Sequence, residues 1–169
     1  MLLICHRLSQ LRFGQLMEVY AESVAQNGAE FYPDLPQYEQ AFRAEQDFYA
    51  YLSSGFFNME GDLYCVWEED GRYIAALRLQ RYQDGLLLEA LETHPDYRCQ
   101  GYAERLIRAV LDEFGAEKIY SHIGHRNAAS QAVHSKCGFH KIMNYARYAD
   151  GSVNSYCGTH LYDAKNAGD

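Results

Sequence analysis

The chain has 169 residues, enough for one domain with a proper core and too short for two comfortable ones. Apolar and aromatic residues make up 48% of it, which excludes a disordered chain. A formal net charge of −8 argues against nucleic acid as the main partner and weakly favours cationic ligands such as amines.

In chain order, residues 2–8 read as a first strand. From Ser9 onward Leu11, Leu16, Val19, Tyr20 and Val24 recur at helical spacing, and Asn27-Gly28 is expected to stop that helix. Residues 30–36 carry Pro33 and Pro36 and break the pattern. A second helix bearing Tyr38, Phe42, Phe48, Tyr49 and Leu52 should stop near Ser54-Gly55. Residues 62–69 alternate as a strand, Glu69-Asp70-Gly71 is a hairpin turn, and residues 72–82 return. After Gln83-Asp84-Gly85, the apolar run of residues 86–93 reads as a strand buried on both faces. Ala103, Leu106, Ile107, Val110, Leu111 and Phe114 give a helix capped at Gly115. Residues 117–123 then form a strand parallel to its predecessor, and 127–136 a short helix closed at Gly138. Late strands are expected over 139–148 and 154–161, joined by Asp150-Gly151. One domain would span 1–163, with 164–169 as a frayed tail.

The stretch from Leu86 to Ile107 organises the rest: a buried strand, a turn at Pro95, and a loop with Gly101 that opens a helix. At a helix start, unpaired backbone N–H groups point outward and the dipole adds partial positive charge, so anions bind there. Gly101 lets a phosphate approach the backbone, and Arg98 adds a cation beside it. The stretch has no Gly-Lys-Ser/Thr ending and no GxGxxG, so neither a Walker loop nor a dinucleotide fingerprint is present.

What remains is Arg98-x-x-Gly101-x-Ala103 after Pro95-Asp96-Tyr97. It resembles the pyrophosphate loop of the GNAT N-acetyltransferase family. A second block, from Asn127 through Ser130, His134 and Lys136 to Gly138-Phe139, resembles the family's Asn-x-x-Ala/Ser-x-x-x-Tyr-x-Lys-x-Gly-Phe. The element order β-α-α-β-β-β-α-β-α-β-β matches over nearly the whole chain. The resemblance implies a mixed α/β domain, its mostly antiparallel sheet of about seven strands holding a parallel central pair and flanked by about four helices. It also implies acetyl-CoA as co-substrate and direct attack by an amine in a ternary complex, without metal or covalent intermediate. By the same resemblance, Arg98, Cys99, Gln100, Gly101, Tyr102 and Ala103 hold the pyrophosphate, with Gln100, Gly101 and Ala103 acting through backbone N–H. Asn127, with Ser130 beside it, would hold the pantetheine arm. The backbone at Leu91 and Thr93 would pair with pantetheine and polarise the thioester.

Acetyl transfer also needs a proton acceptor for the ammonium and a proton for the leaving thiolate. Glu89 resembles an acidic strand position of several small-amine acetyltransferases, as a base or as an anchor for the ammonium. Alternation puts Glu89, Leu91 and Thr93 on one strand face and Glu92 on the other. His134 stands where the family has Tyr, and a histidine is competent as the thiolate's acid. Asn127, Ser130 and His134 should share one helical face, with Ala129 and Val133 on another.

Cys5, Cys65, Cys99, Cys137 and Cys157 are widely spaced with no Cys-x-x-Cys pair, so neither a disulfide framework nor a zinc ribbon is expected. His122, His125 and Cys137-x-x-His140 complete no tetrahedral set, so no metal is expected. The opening apolar run is too short for a signal peptide and no segment would span a membrane, which makes the cytoplasm the default location. The expected partner is a small-molecule amine, and a homodimer is compatible with the sequence. Two rivals stay open: an acyl-CoA-binding module without turnover, and an acyltransferase acting on a protein N-terminus or with a longer acyl donor.

Overall fold

A computed structural model describes residues 1–166. A seven-stranded sheet forms the centre. In chain order its strands are β1 (Leu2–Cys5), β2 (Leu63–Glu69), β3 (Arg72–Tyr82), β4 (Gly85–Thr93), β5 (Lys118–Gly124), β6 (His140–Met143) and β9 (Cys157–Tyr162). Between β6 and β9, β7 (Ala146–Arg147) and β8 (Val153–Asn154) pair as a separate two-stranded ribbon. The spatial order is β1-β2-β3-β4-β5-β9-β6, antiparallel throughout except for the parallel pair β4–β5. A helix must separate two parallel neighbours, and α4 (Tyr102–Phe114) does so.

Helices α1 (Phe13–Val19), α2 (Ala21–Phe31) and α3 (Gln37–Ser54) cover one face of the sheet, burying Leu16, Val19, Val24 and Leu52 against Tyr64, Val66 and Tyr73. On the other face α4 buries Leu106, Ile107 and Val110 against Cys65, Leu77 and Leu88. Each of those aliphatic side chains contributes roughly 1.5–3 kcal/mol by leaving water, which keeps α4 in place and with it the loop at its start. The last helix, α5 (Ala128–Lys136), is tied to α4 where the Arg108 guanidinium donates to the Lys136 carbonyl at 2.9 Å.

Three expected boundaries shift for physical reasons. The first strand stops at Cys5, and a 3-10 turn over Leu8–Gln10 follows. The single helix expected before Gly28 is two helices that meet at Tyr20. Gly28 does not end α2; a Cβ there would lie 2.6 Å from the Gln40 carbonyl oxygen, so the glycine lets α2 and α3 touch. Of the tail at 164–169, Ala164–Asn166 makes a 3-10 turn and 167–169 lie outside the described residues. No helix among the described residues is long and apolar enough to cross a membrane.

Candidate active site

The loop after β4 is shaped by backbone. The Asp96 N–H donates to His94 Nδ1 at 3.2 Å, a 3-10 turn over Pro95–Tyr97 follows, and Cys99 and Gly101 then adopt left-handed φ of 58° and 84°. A Cβ on Gly101 would meet nothing within 4 Å. The glycine is therefore required by its φ, and the space beside it is open. Gly101 is the N-cap of α4 and supplies no side-chain cap, which leaves the first-turn N–H groups to face outward. The Glu69 carboxylate accepts from the Tyr102 hydroxyl at 2.8 Å and pairs with Arg105 at 3.5 Å, so the end of β2 fixes the direction of α4.

A groove of about 580 Å³ runs from this loop to α5. Leu91 and Thr93 line it from β4, and Arg98, Cys99, Gly101, Tyr102 and Ala103 from the loop and helix start. Asn127 and Ser130 close its far end. Gln100 is not in the lining; its side-chain amide donates to the Asp96 carbonyl at 3.2 Å. Arg98 lines the groove, but its guanidinium already donates to Glu22 at 2.6 Å and lies 3.9 Å from Glu92. The cation expected beside the phosphate is thus engaged by two carboxylates.

Asn127 caps α5 by accepting the Ser130 N–H at 3.0 Å, as its residue type favours. The helix presents Ala129, Val133 and Lys136 to the groove and turns His134 into the sheet. Asn127, Ser130 and His134 share one face, with Ala129 and Val133 on another, as the spacing predicts. His134 is 1% exposed. Its Nδ1 lies 2.8 Å from the Ser130 carbonyl, which only accepts, so that nitrogen carries the proton. Nε2 then accepts from the Ser121 hydroxyl at 3.2 Å. Burial pulls the ring's pKa down to about 4. His134 is therefore neutral at pH 7 with both nitrogens occupied, and it lacks the spare proton that the general-acid role requires.

The parallel ladder between β4 and β5 covers only Gly85 to Leu88 against Lys118 to Ser121. Beyond it the two strands part, and a cleft of about 190 Å³ opens between residues 88–91 and 121–124. Leu91, Asn127 and Ser130 line both this cleft and the groove, so the two are continuous. Within β4 the register to β3 slips between Arg78↔Glu89 and Ala76↔Glu92, and Ala90 takes a φ of 51°. This bulge overturns the expected alternation at Glu89 alone, whose partner Arg78 lies over the Tyr51 and Phe56 rings on the α1–α3 side. Leu91 packs on the α4 side, while Glu92 turns to the α1–α3 side, where the Ser23 hydroxyl donates to it. Tyr20 pins the bulge by donating to the Ala90 carbonyl at 2.5 Å. Glu89 lines the cleft with partners of its own: Arg78 at 3.7 Å and the Gln80 amide at 3.2 Å.

The cleft also holds Ser121 and His122, to which the sequence assigned no role in the chemistry. His122 packs edge-on against Tyr82 and Tyr148, and burial lowers its pKa.

The Acetyltransferase (GNAT) family model matches residues 21–139. A search of curated protein sequences found no significant relative. Among solved structures, the PaiA N-acetyltransferase from Thermoplasma acidophilum, in complex with coenzyme A, is 14% identical. That match covers 96% of this chain and 99% of the other, with a TM-score of 0.62. The ribosomal-protein-S18-alanine N-acetyltransferase from Escherichia coli is 21% identical over 95% of this chain and 92% of that one, at 0.57. A spermidine N-acetyltransferase chimera from Vibrio cholerae and a human enzyme is 18% identical over 96% and 94%, also at 0.57. These structures share the overall fold seen here. With the family model spanning well over half of its length, the chain belongs to the GNAT acetyltransferase family.

Proposed function

We propose that this protein transfers an acetyl group from acetyl-CoA to the primary amine of a small molecule, by direct attack in a ternary complex. One observation carries the reading: the groove at the start of α4 runs without a break into the cleft that holds Glu89. A ligand with a diphosphate at one end and a thioester at the other fits that course. The diphosphate lies on the first-turn N–H groups of α4, where the helix dipole favours it. The arm follows Leu91 and Thr93 along the edge of β4 that β5 leaves unpaired. N–H groups on that edge stabilise negative charge on the thioester oxygen as it develops. Glu89 draws the substrate ammonium to the carbonyl, and the net negative charge helps cationic substrates approach. The match to a structure solved with coenzyme A, and another to a spermidine acetyltransferase, support donor and acceptor class respectively.

The test has two arms. Acetyl-CoA at about a hundred times its Kd should stabilise the fold by roughly 2.7 kcal/mol, with NAD and ATP giving much less at matched concentration. Thiol release from acetyl-CoA is then followed against polyamines, aminoglycosides, amino acids and peptides. Turnover with one class of small amine is the expected result. Stabilisation by acetyl-CoA with no turnover across the panel would make the protein a binding module. Equal stabilisation by all three ligands would reduce the groove to a generic phosphate site.

A further inference from the structure

His122 lines the cleft where the amine must lose its proton, and its buried Nε2 has no hydrogen-bond partner among the described residues. Three hydrogen-bonding facts fix the state of its ring. The Thr159 hydroxyl, on the strand position directly opposite, donates to the Tyr145 carbonyl at 2.7 Å. Its single proton being used there, its oxygen can only accept from His122 Nδ1, 3.2 Å away. Nδ1 therefore carries the ring proton, and Nε2 bears a bare lone pair. That Nε2 is buried with no hydrogen-bond partner among the described residues, a state that is costly and rare in folded proteins.

The contrast with His134, in the same cleft, is instructive. Both rings hold the proton on Nδ1, but Ser121 caps the Nε2 of His134 and, among the described residues, no side chain caps that of His122. Glu89 differs again, because Arg78 and Gln80 already occupy its carboxylate.

We propose that His122 Nε2 takes the proton from the substrate ammonium, with Glu89 holding that ammonium by charge and Thr159 setting the tautomer. The proposal rests on the acetyl-transfer reading above. One proton of the R–NH3⁺ group moves to Nε2, giving an imidazolium. The freed nitrogen lone pair forms the new C–N bond to the thioester carbonyl, and collapse of the tetrahedral intermediate breaks the C–S bond. The proton still on the attacking nitrogen passes to the departing sulfur, so amide, free thiol and imidazolium account for every atom and charge. The imidazolium then releases its proton to solvent. No separate protein acid is needed, which agrees with the neutral state of His134.

The titratable groups against the ring are Tyr82 from β3 and Tyr148 from the segment after β7, with Glu89 of β4 lining the same cleft. Of these only Glu89 is a carboxylate. The Arg147 carbonyl favours the protonated ring, while burial disfavours it and lowers the pKa overall. Burial thus favours the neutral ring, and the carbonyl helps to hold the imidazolium once it forms.

The test compares the parent protein with His122→Asn, whose amide keeps a donor toward Thr159 but has no basic nitrogen. Both are assayed from pH 5 to 10 with acetyl-CoA and the best amine of the panel, and acetyl-CoA thermal shifts confirm that each is folded and binds its donor. The parent's kcat/KM should show an acidic limb below histidine's ordinary pKa of about 6.5. In His122→Asn that limb should vanish and kcat should fall by about 10²-fold at pH 7. The deficit should shrink toward pH 10, as amine deprotonated by solvent takes over. Glu89→Gln should instead raise the amine KM and keep most of kcat. A His122→Asn protein with parental kcat and an unchanged acidic limb would overturn the assignment. A parent that binds acetyl-CoA and turns over no amine would instead sink the transfer reading itself, and this proposal with it. Should His122→Asn fail to fold, ¹⁵N NMR of the parent's imidazoles at pH 7 still decides. A His122 ring protonated on Nε2 excludes it as the proton acceptor, and a bare Nε2 supports it.

Discussion

The groove at the start of α4 and the cleft between β4 and β5 lie end to end and are made of different material. The groove is backbone: a left-handed Gly101, a run of uncapped N–H groups and a carboxylate that clamps the helix start from β2. The cleft is side chain: Glu89 on Arg78, His134 on Ser121, His122 on Thr159, each set by which way one strand position happens to point. A backbone site tolerates changes in neighbouring side chains and is destroyed by an added one. The side-chain site behaves in the opposite way, since one shift of register would exchange its inward and outward residues.

Gly101→Glu gives the largest expected effect and breaks the backbone half directly. The new side chain would enter open space beside the loop, bring negative charge to the diphosphate, and hold a φ that non-glycine residues avoid. Acetyl-CoA affinity measured by calorimetry should fall by about 10³-fold, or about 4 kcal/mol, with the circular dichroism spectrum retained. Affinity within about threefold of the parent's, well under 1 kcal/mol, would remove the ligand from this loop.

Next comes the protonation of His134, which probes the side-chain half. Its folded pKa of about 4 lies below the unfolded value of about 6.5. Between those limits the unfolded chain binds more protons, so this group's contribution is present above pH 6.5 and is lost as pH falls toward 4. The loss amounts to about 3 kcal/mol. Urea unfolding at pH 7 and pH 4 should show His134→Gln losing that much less on acidification than the parent, because His122 and His160, also depressed by burial, titrate in both proteins. Equal losses would mean that the His134 ring is not held neutral.

Arg98→Ala is the smallest effect, and it sharpens the distinction between the two regions. Arg98 is already engaged with Glu22 and Glu92 at a partly exposed position, where such pairs contribute about 1 kcal/mol or less. Acetyl-CoA affinity should therefore change by no more than about fivefold, equivalent to about 1 kcal/mol. A loss of about 10²-fold would transfer the grip from backbone to side chain.

The same division explains what could be read from the sequence. Gly101 and Asn127 announce their local geometry through residue type, because a left-handed φ and a helix N-cap each select a few side chains. The hairpins from β2 to β4 and the parallel neighbour β5 followed from turns and periodicity, whereas the place of β9 between β5 and β6 did not. The bulge at Ala90 left no such trace: alanine there does not advertise a positive φ, so Glu89 was placed on the same face as Leu91 and Thr93. Gly28 was misread because a glycine that permits two helices to touch looks, in one dimension, like a glycine that ends a helix. His134 and His122 depend on contacts with Ser121, Ser130 and Thr159 that only tertiary structure creates.

The short parallel ladder has a mechanical side. Strands β1 to β4 form one half of the sheet and β5, β9 and β6 the other, and among the described residues the backbone ladder joins the two halves only along residues 85–88 and 118–121. Beyond that stretch the sheet has a seam. An occupant hydrogen-bonded along both lips would act as a missing strand and stitch the halves together. Amide protons on residues 89–93 and 122–124 should then exchange with solvent far more slowly in the complex, as a local opening becomes a global one. Filling the cleft would thus merge two weakly joined cooperative units into one.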